Sequence, residues 1–280
     1  MAGYAIERLL ETPTASVWDV CCSGAGDHAP APPWHEHAHL LLPYRGLFVR
    51  HRGEDICVAE AGQVILCNAH DDARVTHPVP GGDSSLVLQI APDMLREIAP
   101  APLLGTGEPL RFVQERLRID PRAQALVAML RHSLREGIAE ALEAESLALT
   151  LAQRALGPRT SHAAGASRGR QRLADRTKLV LASDLSRRWT LAEIAAEIGV
   201  SAVYLTQVFQ QVEGLPLYRY HLRLRLARAL DLLGEYEDLS RLALDLGFSS
   251  HSHFSAAFLQ TYGRSPSEFR EAAISRNERR

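Results

Sequence analysis

One segment of this 280-residue chain is written twice, and that repeat constrains the fold more than any other feature. A shift of 48 residues lays Leu191 on Leu239, Ile194 on Leu242, Ala195 on Ala243, Ile198 on Leu246, Gly199 on Gly247 and Ser201 on Ser249. After one inserted residue the shift becomes 49 and carries Leu205 to Phe254, Phe209 to Phe258, Gly214 to Gly263 and Tyr220 to Phe269. Helical periodicity alone would align apolar positions, but it would not also align small residues, glycines and capping hydroxyls. In the first copy Thr190 and Glu193 form a capping-box pattern, and Leu191, Ile194, Ala195 and Ile198 make an apolar stripe. Gly199 supplies the positive φ that stops this helix, and Ser201 caps the next. That second helix has a buried stripe of Leu205, Val208, Phe209 and Val212, and it stops at Gly214. Helix, glycine turn and helix make a helix-turn-helix, here present twice.

Between the copies, residues 217–233 read as one helix of about 25 Å, at about 1.5 Å per residue. Such a spacer holds two reading helices apart, and about 34 Å, one duplex turn, separates successive major grooves on one face. Charge agrees with a polyanion partner at this end. The net charge is −2, yet residues 168–280 hold 17 Lys and Arg against 13 Asp and Glu, while the remainder holds 14 against 20.

The chain is longer than one core usually supports, and its 46% hydrophobic content supplies two. No run of 18 apolar residues lacks a charge, and the first residues lack the basic-then-apolar order of a signal peptide, so a soluble cytoplasmic protein with no membrane partner is expected. Cys21, Cys22, Cys57 and Cys67 are too few and too clustered for a disulfide framework, and read as thiols.

Residues 14–90 contain short apolar segments, SVWDVCC, HLLLPY, GLFVRH, DICVAE, QVILCN, ARVTH and SSLVLQI, separated by Gly, Pro, Asp and His. Strands at this spacing predict a β sandwich or barrel. Two helices follow, over 120–135 with Asp120 as cap and apolar positions at Ala125, Leu126, Met129, Leu130 and Leu134, and over 140–156 with Leu142, Leu147, Leu149 and Leu151. Their stripes are wide enough to cover both the barrel and a second copy. Residues 158–171, rich in Gly, Ser, Ala and Arg, read as a flexible linker that transmits no rigid push.

The segments SAVYLTQVFQQVEG (201–214) and ALDLGFSSHSHFSAAFLQTYGRSPSEFR (243–270), with Tyr220, Arg225, Ala229 and Leu233 between them, resemble the signature of the AraC/XylS family of transcriptional regulators. The resemblance covers residues 172–273. It implies an α+β protein of two domains: a cupin-like β barrel with trailing dimerisation helices over 1–157, and an all-α domain of two helix-turn-helix units over 172–280. It further implies double-stranded DNA as partner, a small-molecule effector in the barrel, a homodimer, RNA polymerase as a contact if the protein activates, and no catalysis. Recognition helices then run over 201–212 and 250–262. Away from their buried stripes lie Val203, Thr206, Gln207 and Gln210 on the first, and His251, Ser252 and Ser255 on the second. Members often carry a basic residue where this chain has Gln207 and Ala256; glutamine can read adenine through two hydrogen bonds, whereas alanine can at most touch a thymine methyl. Arg187, Arg188, Arg219, Arg223 and Arg264 are candidates for phosphate.

In the front domain, Trp34-His35-Glu36-His37-Ala38-His39 spaces three imidazoles for one face of a strand, and His77 or Cys22 could add a donor for a divalent metal. A metal- or redox-sensing regulator is therefore the alternative to an organic effector. A cupin enzyme fits less well, because Leu41 and Leu42 stand where a ligating Glu belongs. The stretch His77-Pro78-Val79-Pro80-Gly81-Gly82-Asp83 reads as a rigid hairpin loop without assignable chemistry.

Overall fold

A computed structural model describes residues 3–24, 33–53, 55–107, 109–157 and 167–274. All seven apolar segments form strands: β2 (Ala15–Cys22), β3 (His39–Arg45), β4 (Leu47–Arg52), β5 (Asp55–Glu60), β6 (Gln63–Cys67), β7 (Arg74–Thr76) and β8 (Asp83–Ile90). Two further strands, β1 (Tyr4–Glu11) and β9 (Arg116–Arg118), escaped the sequence reading. The strands pair antiparallel as a six-stranded sheet, β1-β2-β8-β3-β6-β9, and a three-stranded one, β5-β4-β7. Among the described residues both ladders are open, so the expected single barrel appears as two sheets that meet through Phe48, Ala59, Ile65 and Cys67.

Period-two alternation assigns the two faces of the large sheet. Val17, Leu40, Leu42, Leu86 and Leu88 point to a core roofed by α2 (Pro121–Arg135) and α3 (Ala141–Leu156), while Trp18, Leu41 and Val87 point the other way. The buried faces of these helices differ from the expected stripes. α2 buries Ala123, Val127 and Leu130 and leaves Met129 37% exposed; α3 buries Ala144, Ala148, Leu151, Ala152 and Ala155 and leaves Leu142 75% exposed. The physical reason is close approach: alanine lets α3 lie against the sheet, where leucine would hold it away. A short helix, α1 (Pro92–Ile98), precedes them.

The rest of the chain is helical: α4 (Arg168–Ser183), α5 (Leu191–Ile198), α6 (Ala202–Glu213), α7 (Leu217–Leu232), α8 (Leu239–Asp245), α9 (His251–Tyr262) and α10 (Pro266–Ile274). Helix α4 begins inside the stretch read as linker, because the Ser167 hydroxyl accepts the Arg170 N–H and starts it; residues 158–166 lie outside the described residues. Helix α7 is apolar on more than one side because it serves two cores. Leu217, Tyr220 and Leu224 pack with α4, α5 and α6; Leu226, Ala229, Leu230 and Leu233 pack with α8 and α9. No single helix among the described residues is long and apolar enough to cross a membrane.

Candidate nucleic-acid interface and effector cavity

Both units are terminated as the repeat requires. Thr190 and Glu193 make a reciprocal capping box, Gly199 has φ 77°, and Gly247 has φ 80°. One alignment needs correction: the counterpart of the cap Ser201 is Ser250, whose hydroxyl accepts the His253 N–H at 3.1 Å, so the inserted residue is Ser249. Ser249 instead meets His253 Nδ1 at 3.1 Å.

With Leu205, Val208, Phe209 and Val212 buried, α6 presents Val203, Tyr204, Gln207 and Gln210 to solvent. Thr206 is half-buried and its hydroxyl donates to the Val203 carbonyl at 2.8 Å, leaving it an acceptor role only. On α9, Phe254, Ala257 and Phe258 are buried, and His251, Ser252, Ala256 and Gln260 are exposed. Ser255 is half-buried, 3.3 Å from His251 Nε2. Tyr204, at 46% exposure, also lies on the reading face, although the sequence does not single it out. Arg188, Arg219, Arg223 and Arg264 are exposed. Arg187 is occupied by Glu193 at 2.8 Å and stacks on Trp189 at 3.9 Å, which makes it the weakest phosphate candidate.

The two units are tied together by Arg225, at the middle of α7. Its guanidinium donates to the carbonyls of Leu185 (2.6 Å), Ser186 (3.3 Å) and Arg187 (2.9 Å) in the α4–α5 loop, and to that of Gly247 (3.1 Å) in the α8–α9 turn. A Cβ at position 247 would overlap the Ser186 carbonyl, so glycine there serves both the left-handed turn and this close approach.

The opposite face of the large sheet lines a cavity of about 730 Å³. Ile6, Trp34, Phe48 and Val87 give it apolar walls; Arg50, Asn68 and Asp71 give it polar ones. Arg50 is buried and paired with Asp71, and its Nη1 has no hydrogen-bond partner among the described residues. The three imidazoles do not share a strand face, because residues 33–36 form a turn and β3 starts only at His39. His37 is exposed, and His35 packs edge-on to His70 at 5.4 Å. His39 is buried, donates Nδ1–H to the His37 carbonyl at 2.9 Å, and burial brings its pKa down to about 4. The remaining two candidate donors do meet: Cys22 Sγ lies 3.3 Å from His77 Nε2, beside Asp83, which the sequence reading passed over.

A charged junction joins the sheet domain to the helices. Lys178 on α4 is fully buried, 2.9 Å from Glu213 and 3.7 Å from Asp175; Arg118 of β9 reaches Glu213 at 3.1 Å and Arg116 reaches Asp175 at 3.5 Å. On the other side of α2, Arg131 covers the Tyr44 ring at 4.0 Å and pairs with Asp231 of α7 at 2.7 Å, while Tyr44 donates to Asp19 at 2.7 Å.

A helix-turn-helix domain family matches residues 194–272. Over 103 residues the chain is 33% identical to the transcriptional activator RhaR of Klebsiella pneumoniae, covering 36% of this chain and 37% of that protein. The probable transcriptional regulator LumQ of Photobacterium leiognathi is 26% identical over 174 residues, 60% of this chain and 67% of its own. A solved transcriptional regulator of the AraC-type DNA-binding-domain group from Chromobacterium violaceum is 29% identical, over 38% of this chain and 96% of that one, with a TM-score of 0.36. The chain spans little more than a third of the length of the first curated relatives it matches. Two capped units fixed on a shared helix, with polar faces outward, define a DNA-binding domain of the double helix-turn-helix class. Residues 194–272 thus carry a helix-turn-helix domain of the AraC type.

Proposed function

We propose that this protein is a sequence-specific DNA-binding regulator of transcription, acting in the cytoplasm as a homodimer and controlled by a small organic effector in the cavity of its front domain. In this reading residues 1–157 form a cupin-like sensing and dimerising domain, 158–171 connect it, and 172–280 bind DNA. The observation that carries the reading is the Arg225 tie, because two reading helices of fixed spacing are what successive major grooves require. The Arg50 Nη1 donor supports an effector with an acceptor group such as a carboxylate. The Asp19–Tyr44–Arg131–Asp231 chain links the sheet domain to α7, which supports control of DNA binding by favouring one docking of the two halves over another. If the protein activates, its exposed surface also meets RNA polymerase.

The test is selection from a random duplex pool with the full chain, followed by affinity measured against salt. Gln207→Ala and His251→Ala should each cost about 1–3 kcal/mol on the selected site and relax its sequence, with the salt slope unchanged. Arg188→Ala or Arg219→Ala should weaken all duplexes alike and reduce the slope by about 1. An unenriched pool, or glutamine and histidine variants that only change the slope, would refute base readout by these helices. Sedimentation should show a dimer at micromolar concentration; a strict monomer with and without DNA would remove the dimer from the proposal.

A further inference from the structure

The hairpin loop without assignable chemistry brings together three groups that form a relay. Cys22 ends β2, and Asp83, its partner in the β2–β8 ladder, begins β8. His77 stands at the other end of the loop. Gly82, with φ 69°, lies so close to the Cys22 carbonyl that a Cβ would overlap it, and this contact presses the loop onto the strand end. The imidazole then lies between thiol and carboxylate: Nε2 is 3.3 Å from Cys22 Sγ, and Nδ1 is 2.5 Å from Asp83 Oδ1. Close as they are, Nδ1 and Oδ1 are not aligned as a hydrogen bond; neither has a hydrogen-bond partner among the described residues, and both side chains are under a tenth exposed. Tyr4 places its hydroxyl 3.0 Å from the same Nε2, and the Gly24 N–H points to Sγ at 3.4 Å.

These groups do not converge as metal ligands do. A metal needs thiolate, imidazole nitrogen and carboxylate oxygen around one point, each about 2.0–2.3 Å away. Here carboxylate and thiol sit on opposite ring nitrogens, although the donor atoms lie within 4.8 Å of one another. The order is instead nucleophile, base and orienting carboxylate. The Asp83 carboxylate beside Nδ1 favours a proton on that nitrogen, which leaves Nε2 as the acceptor facing both the thiol and the Tyr4 hydroxyl.

We propose that Cys22 is a covalent sensing thiol that captures α,β-unsaturated carbonyl compounds, with His77 as its base and Asp83 positioning that base. This rests on the effector-cavity reading and names the ligand class. Tyr4, His77 and Asp83 form part of the cavity wall, and the buried Cys22 lies directly behind His77, 3.3 Å from its Nε2, so an enone or enal of cavity size reaches the thiol past the imidazole. His77 takes the Sγ proton, the sulfur pair forms a C–S bond at the β-carbon, and the C=C π pair moves to the enolate. His77 returns the proton to the α-carbon; nothing leaves and no oxidant is consumed. An oxidation switch fits less well, since Cys21 projects to the other strand face, toward Tyr44 at 3.8 Å, and cannot resolve a sulfenic acid. The other thiols lack a base: burial pushes Cys57 up and Cys67 up to about 11.

The experiment exposes the full-length protein to methyl vinyl ketone and follows each cysteine by peptide mass spectrometry over pH. Cys22 should react at least about tenfold faster than Cys21, Cys57 and Cys67 in the same sample, with a rate that levels off across neutral pH. His77→Gln and Asp83→Asn should slow Cys22 by about tenfold or more and restore an ordinary thiol profile, still rising toward about pH 8.5. Slow reaction at Cys57 and Cys67 in those variants reports an intact fold. Cys22 reacting no faster than Cys21, or with an ordinary thiol profile in the parent protein, overturns the proposal. So does one zinc ion per chain that survives dialysis and protects Cys22. Because the readout is the adduct, failure here leaves DNA regulation through the cavity standing, and failure of DNA binding leaves the adduct measurable.

Discussion

Glu213→Ala should lower unfolding free energy by about 3–5 kcal/mol, the usual cost of leaving a buried charge without its partner. The charge left behind is Lys178, none of which reaches solvent and whose nearest carboxylate is Glu213 at 2.9 Å. Arg118 also loses its 3.1 Å partner. Asp175, at 3.7 Å, is the only other carboxylate paired with Lys178 among the described residues, and it is shared with Arg116. The pH dependence has a definite sign. Burial pushes Glu213 up, but Lys178 and Arg118 outweigh it and hold the carboxyl below its usual range. Its contribution is therefore full above the ordinary glutamate pKa and is lost as pH falls through the lower folded value. Burial raises Glu60 and Asp175, so their contributions run the other way, weakening as pH rises through their folded values. Urea titrations between pH 3 and 8 test this; Glu213→Ala should lose the acid-sensitive part. Lys178→Met with Glu213→Leu should recover most of the loss, because an apolar pair needs no compensation. An alanine variant within about 0.5 kcal/mol of the parent would mean that the junction opens to water and that these charges are solvated.

Arg225→Ala should reduce specific DNA affinity by about a hundredfold while leaving non-specific binding nearly intact. The guanidinium touches no reading face; it joins the α4–α5 loop to the α8–α9 turn through four carbonyls. Without it each unit keeps its own core, the first around Phe209 and the second around Phe258. The distance between their helices then becomes variable, and the second unit no longer docks at high effective concentration. Stability should fall by about 1.5–3 kcal/mol, the range for hydrogen bonds made by a charged group. Arg225→Lys should not rescue, since one ammonium cannot reach carbonyls on both sides. Titration of a selected duplex and a scrambled one separates the effects. Equal losses on both duplexes, or rescue by lysine, would show that Arg225 acts as a charge rather than as a tie.

Tyr44 illustrates how much of the contact between the two halves depends on packing. It lies in an apolar run that the sequence reads simply as a strand. Its hydroxyl nonetheless donates to Asp19, its ring carries Arg131, and burial drives its pKa well above the tyrosine range. Nothing in residues 39–45 announces these partners, which come from β2 and α2.

Local physics alone made part of this fold legible in the residues. Helix ends are settled within about four residues, because the unpaired N–H and C=O groups of a terminus must find partners there. Thr190 with Glu193, Ser201 and Gly199 therefore marked the helices of the first unit, and the repeat carried the pattern to Gly247 and Phe258. The seven apolar segments likewise announced β2 to β8. Tertiary structure decided whatever depends on residues far apart in the chain. It made residues 33–36 a turn, buried a row of alanines beside Leu151 on α3, and placed Lys178 of α4 against Glu213 of α6. It also brought Cys22 to His77 and Asp83, across 55 residues between thiol and imidazole, through a strand register that no local pattern encodes. The reason is one of distance: a cap or a stripe is completed by neighbours in sequence, whereas a tie, a buried charge or a relay exists only after distant segments have packed.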